Sequence, residues 1–108
     1  MFDELEKYNN NGHFFFQPDH ELAKVSNAPK DFDGLYVIYA LELGRVNLVY
    51  IGTKLPAGQW APKMLLENIE ALDVYWYDTE SKGDDPKNVK AEILKIYKSV
   101  DGIKPRWN

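Results

Sequence analysis

Gly34-Leu35-Tyr36-Val37-Ile38-Tyr39-Ala40-Leu41, answered after a polar break by Leu48-Val49-Tyr50-Ile51-Gly52, is the stretch whose reading decides the fold. The first run is β-branched and aromatic, and apolar at consecutive positions. That pattern predicts a central strand covered on both faces. Residues 42–47 predict a turn around Gly44, with a loop longer than the tightest hairpin types, and residues 48–51 the return strand.

Downstream, residues 53–62 hold two prolines and a glycine and read as loop. Residues 62–71 favour a helix, with Pro62 tolerated in its first turn. Met64, Leu65, Ile69 and Leu72 recur near helical spacing and are expected to cover the sheet. Residues 73–78, Asp-Val-Tyr-Trp-Tyr-Asp, predict a third strand, and 79–85 a polar loop. The last helix has the clearest signals: Asp85 as N-cap, Pro86 at its first position and Gly102 as C-cap. Val89, Ile93, Ile96, Tyr97 and Val100 make a single apolar stripe along it.

Upstream, residues 3–8 suit a short helix stopped by Asn9-Asn10-Asn11-Gly12. His13-Phe14-Phe15-Phe16-Gln17 is an aromatic run suited to a strand or an anchoring segment. Pro18-Asp19 turns the chain, and residues 27–29 and 31–34 read as loop. The expected fold is therefore α/β (α+β). A small, mainly antiparallel three-stranded sheet is flanked by helices, in the order hairpin, helix, strand, helix. It occupies residues 34–108, with residues 1–33 an irregular N-terminal arm packed on it.

A length of 108 residues fits one domain, and an apolar fraction of 44% allows a modest core. No apolar run approaches a membrane span, and Met1-Phe2-Asp3-Glu4 lacks the layout of a secretory signal, so a cytoplasmic protein is expected. Cysteine is absent, which removes disulfides, thiolate metal sites and cysteine nucleophiles. His13 and His20 are separated by Pro18, so no helix presents both to one ion. The net charge of −4 opposes strong autonomous binding of nucleic acid, whose affinity comes largely from neutralised phosphates. Lys82, Lys87, Lys90, Lys95, Lys98, Lys104 and Arg106 crowd the last quarter, as a solvated helix face or as a phosphate track.

Few residues carry chemistry. Glu92 falls about 60° round the helix from Val89, on the flank of the apolar stripe. A carboxylate there could ligate a hard divalent cation, or pair with a lysine one turn away. Tyr36 and Tyr50 are either ordinary strand tyrosines or a pair whose hydroxyls emerge side by side onto a water or phosphate. Gly52 either ends its strand or lets a ligand approach the backbone. Asp84-Asp85 reads as capping rather than a metal pair, and Tyr75-Trp76-Tyr77 as core packing or a base-stacking surface.

Gly34-Leu35-Tyr36, Tyr50-Ile51-Gly52, the helical Glu92 and the Pro-x-x-Asn pattern of Pro105 and Asn108 together resemble the GIY-YIG nuclease family over residues 34–108. The resemblance implies metal-dependent phosphodiester hydrolysis. Tyr36 and Tyr50 would orient or activate the attacking water, Glu92 would hold one magnesium or manganese ion, and Asn108 would support the site. DNA would be the partner, with Gly52 and Lys54 near the substrate. Leu35 stands where the family usually has Ile, and the family's arginine on the following helix has no counterpart here. Between Gly52 and the third strand the basic residues are Lys54 and Lys63, which lack the guanidinium's bidentate fork. Two expectations stand: an endonuclease with a substitute cation such as Lys54, or a catalytically inactive module that binds another protein.

Overall fold

Leu43 and Gly44 set the geometry of the hairpin. Both have positive φ, 50° and 71°, the combination a two-residue type I′ turn requires. They join β2 (Leu35–Glu42) to β3 (Arg45–Gly52), so the loop is the tightest kind rather than the longer one expected. An exposed leucine in the left-handed region costs about 1–2 kcal/mol, which Gly44 beside it avoids. Residues 2–55 and 57–108 are described by the computed structural model; Met1 and Pro56, the latter in the expected loop, lie outside them.

The sheet has four strands, not three, in the order β1-β4-β2-β3, antiparallel throughout. The additional strand, β1 (Asn11–Phe16), comes from the N-terminal arm and pairs with β4 (Ala71–Tyr77). Its side chains alternate as a half-buried strand requires: Phe14 and Phe16 are buried, while Asn11, His13 and Phe15 face out. The arm is thus not irregular over these residues, and the sheet crosses the expected boundary between 1–33 and 34–108. β2 lies between β4 and β3, as its continuous apolar run predicts.

Helices cover both faces. On one, α2 (Trp60–Glu67) inserts Trp60 and Met64 among Phe14, Phe16, Ile38 and Val49, beside the short α1 (Leu22–Val25). On the other, α3 (Pro86–Asp101) lays Val89 and Ile93 on Leu35, Val37 and Ile51. There the 3-10 turn Asp3–Leu5 brings Phe2, Leu5 and Tyr8 into the same core. A bulge between Ile38 and Tyr39 leaves Val49 without a cross-strand partner, so Val49 and Tyr50 both turn to the α2 face.

The helices differ from expectation at three places: the helix expected over residues 3–8 is the 3-10 turn Asp3–Leu5, α1 was not expected, and α2 has other limits. It stops at Asn68, whose left-handed φ of 57° ends it before residue 71, and Leu72 belongs to β4. Leu65 and Leu66 are 70% and 83% exposed and do not cover the sheet. α3 carries the expected caps: Asp85 accepts from the Lys87 N–H at 3.0 Å, and Gly102 closes it with φ 78°. Its stripe outruns the sheet, leaving Val100 exposed. Among the described residues, no helix is long and apolar enough to cross a membrane.

Candidate functional site

Tyr36 and Tyr50 do meet on one face. Tyr36 pairs across the strands with Gly52, and Ile38 with Tyr50, which makes the two tyrosines diagonal neighbours on the α2 side. The Tyr50 ring folds back over Gly52, where an added Cβ would run into its hydroxyl and ring. Its hydroxyl donates to the Lys54 carbonyl at 2.7 Å. Gly52 therefore makes room for a tyrosine of its own strand, and Lys54 contributes a backbone acceptor. The Tyr36 ring packs edge-on against Phe32 at 5.1 Å. Burial pushes both phenols above their ordinary value of 10.0, which opposes a phenolate serving as base.

Gly34 has an equally local cause. A Cβ there would collide with the Tyr77 carbonyl of β4 and with the Phe32 ring. Both glycines of the two signatures are thus required by neighbours within the fold.

Asn108 lies beside Tyr50 and Gly52, but its amide is committed to Ile51 between them. Its Oδ1 accepts from the Ile51 N–H at 2.9 Å, and its Nδ2 donates to the Ile51 carbonyl at 2.7 Å. The Trp107 N–H adds a bond to the Val49 carbonyl at 2.8 Å. β3 is an edge strand, and these contacts satisfy its outward polar groups as a further strand would. Arg106 anchors the same segment, with Nη2 2.9 Å from Glu42 and Nε 2.9 Å from Glu67. Its guanidinium is thereby neutralised by two carboxylates.

Glu92 is not brought to the tyrosines. It is exposed on α3 and lines a shallow hollow with Lys7, Tyr8, Asp84 and Asn88, on the opposite face of the sheet. Tyr8, among the residues the sequence did not single out, donates to Asp84 at 2.6 Å across 76 positions of chain. Burial first, then that bond and the charges of Asp84 and Glu92, hold the Tyr8 phenol well above its usual range. The Asp84 carboxyl is held below its ordinary 3.8, chiefly by the Tyr8 hydrogen bond, with Lys7 3.5 Å away. Asp85 is the expected cap.

A metal ion at Glu92 would stand on the far side of the sheet from the Tyr36 and Tyr50 rings. Among the described residues, no three His, Asp or Glu side chains gather to hold one ion. The residues present do not fit a cation acting on a phosphate held at the tyrosines.

A second constellation includes Tyr75 and Tyr77 of the aromatic strand, while its other members carried no signal in the sequence. Asp73, Tyr75 and Tyr77 alternate out of β4 on the α3 face, opposite Phe15, His13 and Asn11 of β1. His13 stacks on Tyr75 at 4.9 Å and its Nδ1 lies 2.8 Å from Asp73 Oδ1. Tyr39 meets Tyr75 at 5.5 Å with the rings 80° apart. With Phe2 and Glu6, the side chains of Tyr39, Asp73, Tyr75 and Tyr77 line a hollow of about 460 Å³. Comparison with family models, with curated proteins and with solved structures returned no match for this chain.

Proposed function

We propose that the chain is a catalytically silent binding module that engages another protein, built on a hairpin resembling the GIY-YIG signature. The observation that carries this reading is the separation of Glu92 from Tyr36 and Tyr50 by the thickness of the sheet. Hydrolysis of the kind the resemblance implies needs metal, water and phosphate within a few ångströms of one another. The fold also spends two other signature groups, Tyr50 on Lys54 and Asn108 on Ile51, and it commits the nearby Arg106 to two glutamates. Net charge −4 and pI about 5.1 disfavour a phosphate backbone as partner. Adjacent, exposed Leu65 and Leu66 on α2 favour a protein surface instead.

The test is a nicking assay on supercoiled plasmid with magnesium, then manganese, run beside Glu92→Ala. Neither protein is expected to nick above background. Because Glu92 is exposed, the two should melt within about 0.5 kcal/mol of each other. Nicking by wild type that disappears in a folded Glu92→Ala would establish a nuclease and overturn this reading. Binding to single- or double-stranded DNA at low salt, where electrostatic attraction is strongest, is expected to be undetectable.

A further inference from the structure

The sheet face beneath α3 is covered unevenly. α3 lies over β2 and β3, and the N-terminal turn covers one end, so the outward side chains of β4 and β1 remain partly open. Into that opening project Tyr39, Tyr75 and Tyr77, with Phe2 from the N-terminal turn and the carboxylates of Asp73 and Glu6. Tyr39 and Tyr75 stand at 80° to one another, like two walls of a box. His13 stacks nearly parallel on Tyr75, 11° apart, and bonds Asp73, which stiffens that wall. Among the described residues lining the hollow there is no lysine or arginine.

We propose that this hollow is a binding site for an alkylated ammonium group. Aromatic faces attract a cation through their quadrupoles, most strongly when several rings surround it and water is partly excluded. The bulk of an alkylated nitrogen suits ring walls, since it offers apolar surface and few or no N–H donors. Asp73, with its side chain 15% exposed, and Glu6 at the rim supply the negative potential. An anionic ligand would meet two carboxylates and no counter-charge from lysine or arginine. A neutral apolar ligand would gain nothing from either carboxylate, of which Asp73 already has His13 as its partner. A volume of about 460 Å³ is ample for a trimethylammonium head and the start of its chain. The site is distinct from the hairpin face and holds whether or not the chain cleaves nucleic acid.

The test is a titration of the full chain, followed by amide and aromatic NMR shifts. The probes are choline, the carbon isostere of choline with its nitrogen replaced by carbon, and a short peptide carrying trimethyl-lysine beside its unmethylated form. Saturable binding of choline or of the methylated peptide, centred on Tyr39, Tyr75 and Tyr77, is expected. The neutral isostere should bind at least about tenfold more weakly, a difference of about 1.4 kcal/mol. Tyr75→Leu should weaken the cation about tenfold, and Tyr75→Phe should retain it. Glu6→Gln, an exposed change that leaves the core intact, should weaken it two- to threefold. Preference for the methylated peptide over choline would assign the cation to a modified side chain, and the reverse to a free small molecule. Equal binding of choline and its isostere, or no saturable shift with either cation, overturns the proposal.

Discussion

Gly34 and Gly52 carry the two halves of the signature hairpin, yet the groups that exclude a side chain differ between them. At Gly34 the obstruction is the Tyr77 carbonyl, fixed in the β2–β4 ladder, together with the Phe32 ring. At Gly52 it is the outer part of the Tyr50 ring, which can rotate away. Moving it would cost the hydroxyl's bond to Lys54, a net loss of about 0.5–1.5 kcal/mol. Gly34→Ala must instead displace backbone where the central β2–β4 pair begins, a strain of about 3 kcal/mol. Urea denaturation of the two variants should therefore rank Gly34→Ala well below Gly52→Ala. A reversed ranking would mean that Gly52 is held by something beyond Tyr50. That Tyr36 and Tyr50 share a face was legible only as one of two readings, because it depends on the bulge at Ile38/Tyr39, which shifts the register of β3 and turns Tyr50 to the α2 side. That their signature glycines serve packing was not, since the colliding groups lie on β4 and in a ring's chosen rotamer.

The segment 105–108 behaves as an element although it has no regular structure. Asn108 presents an acceptor and a donor to Ile51 at backbone-like spacing, and Trp107 adds a third bond to β3. Trp107 also donates to Glu67 at 3.1 Å and lies under Lys63, which ties the strand edge to α2. Asn108→Ala removes two hydrogen bonds from a buried residue's backbone and should cost about 1–3 kcal/mol. Asn108→Asp keeps the acceptor but sets a carboxylate oxygen against the Ile51 carbonyl, so it should be no better than Ala. Thermal melts of both variants check this; unchanged stability in each would leave Asn108 free for another role. At this scale β2 and α3 were readable because each announces itself within a few residues: a continuous apolar run, or a cap, a proline and a stripe. β1 was legible only as an aromatic run suited to a strand or an anchor, and its place in the sheet was not, because its partner lies some sixty positions away, as the His13–Asp73 contact shows. Nor was the position of Glu92. A helical wheel fixes its angle from Val89, but the connection from β4 decides which side of the sheet receives α3.

Seen whole, the molecule is a sheet whose two faces are both lined with tyrosines, and that distribution has a thermodynamic consequence. Tyr36 and Tyr50 on the α2 face, and Tyr8, Tyr39, Tyr75 and Tyr77 on the other, all have phenols pushed above 10.0, with burial the largest cause in each. Tyr39 is pushed up to about 12, with Tyr77, Tyr75 and Asp73 adding to the effect of burial. In the unfolded chain these phenols lose their protons near pH 10, while in the folded chain they keep them. Between those values the native state binds more protons than the unfolded state, so stability falls as pH rises. The contribution is intact below pH 10 and is lost as pH passes through the raised folded values. A chain already at net −4 also gains self-repulsion with each phenolate, which acts in the same direction. Urea melts from neutral pH to pH 12 should show a flat region followed by a steep decline above pH 10, accompanied by a cooperative rise in tyrosinate absorbance. Tyr39→Phe should make that decline shallower, since it removes one proton from the difference while keeping the ring. A stability that stays level through this range, with tyrosines titrating independently near 10, would mean that the sheet faces are wetter than their packing implies.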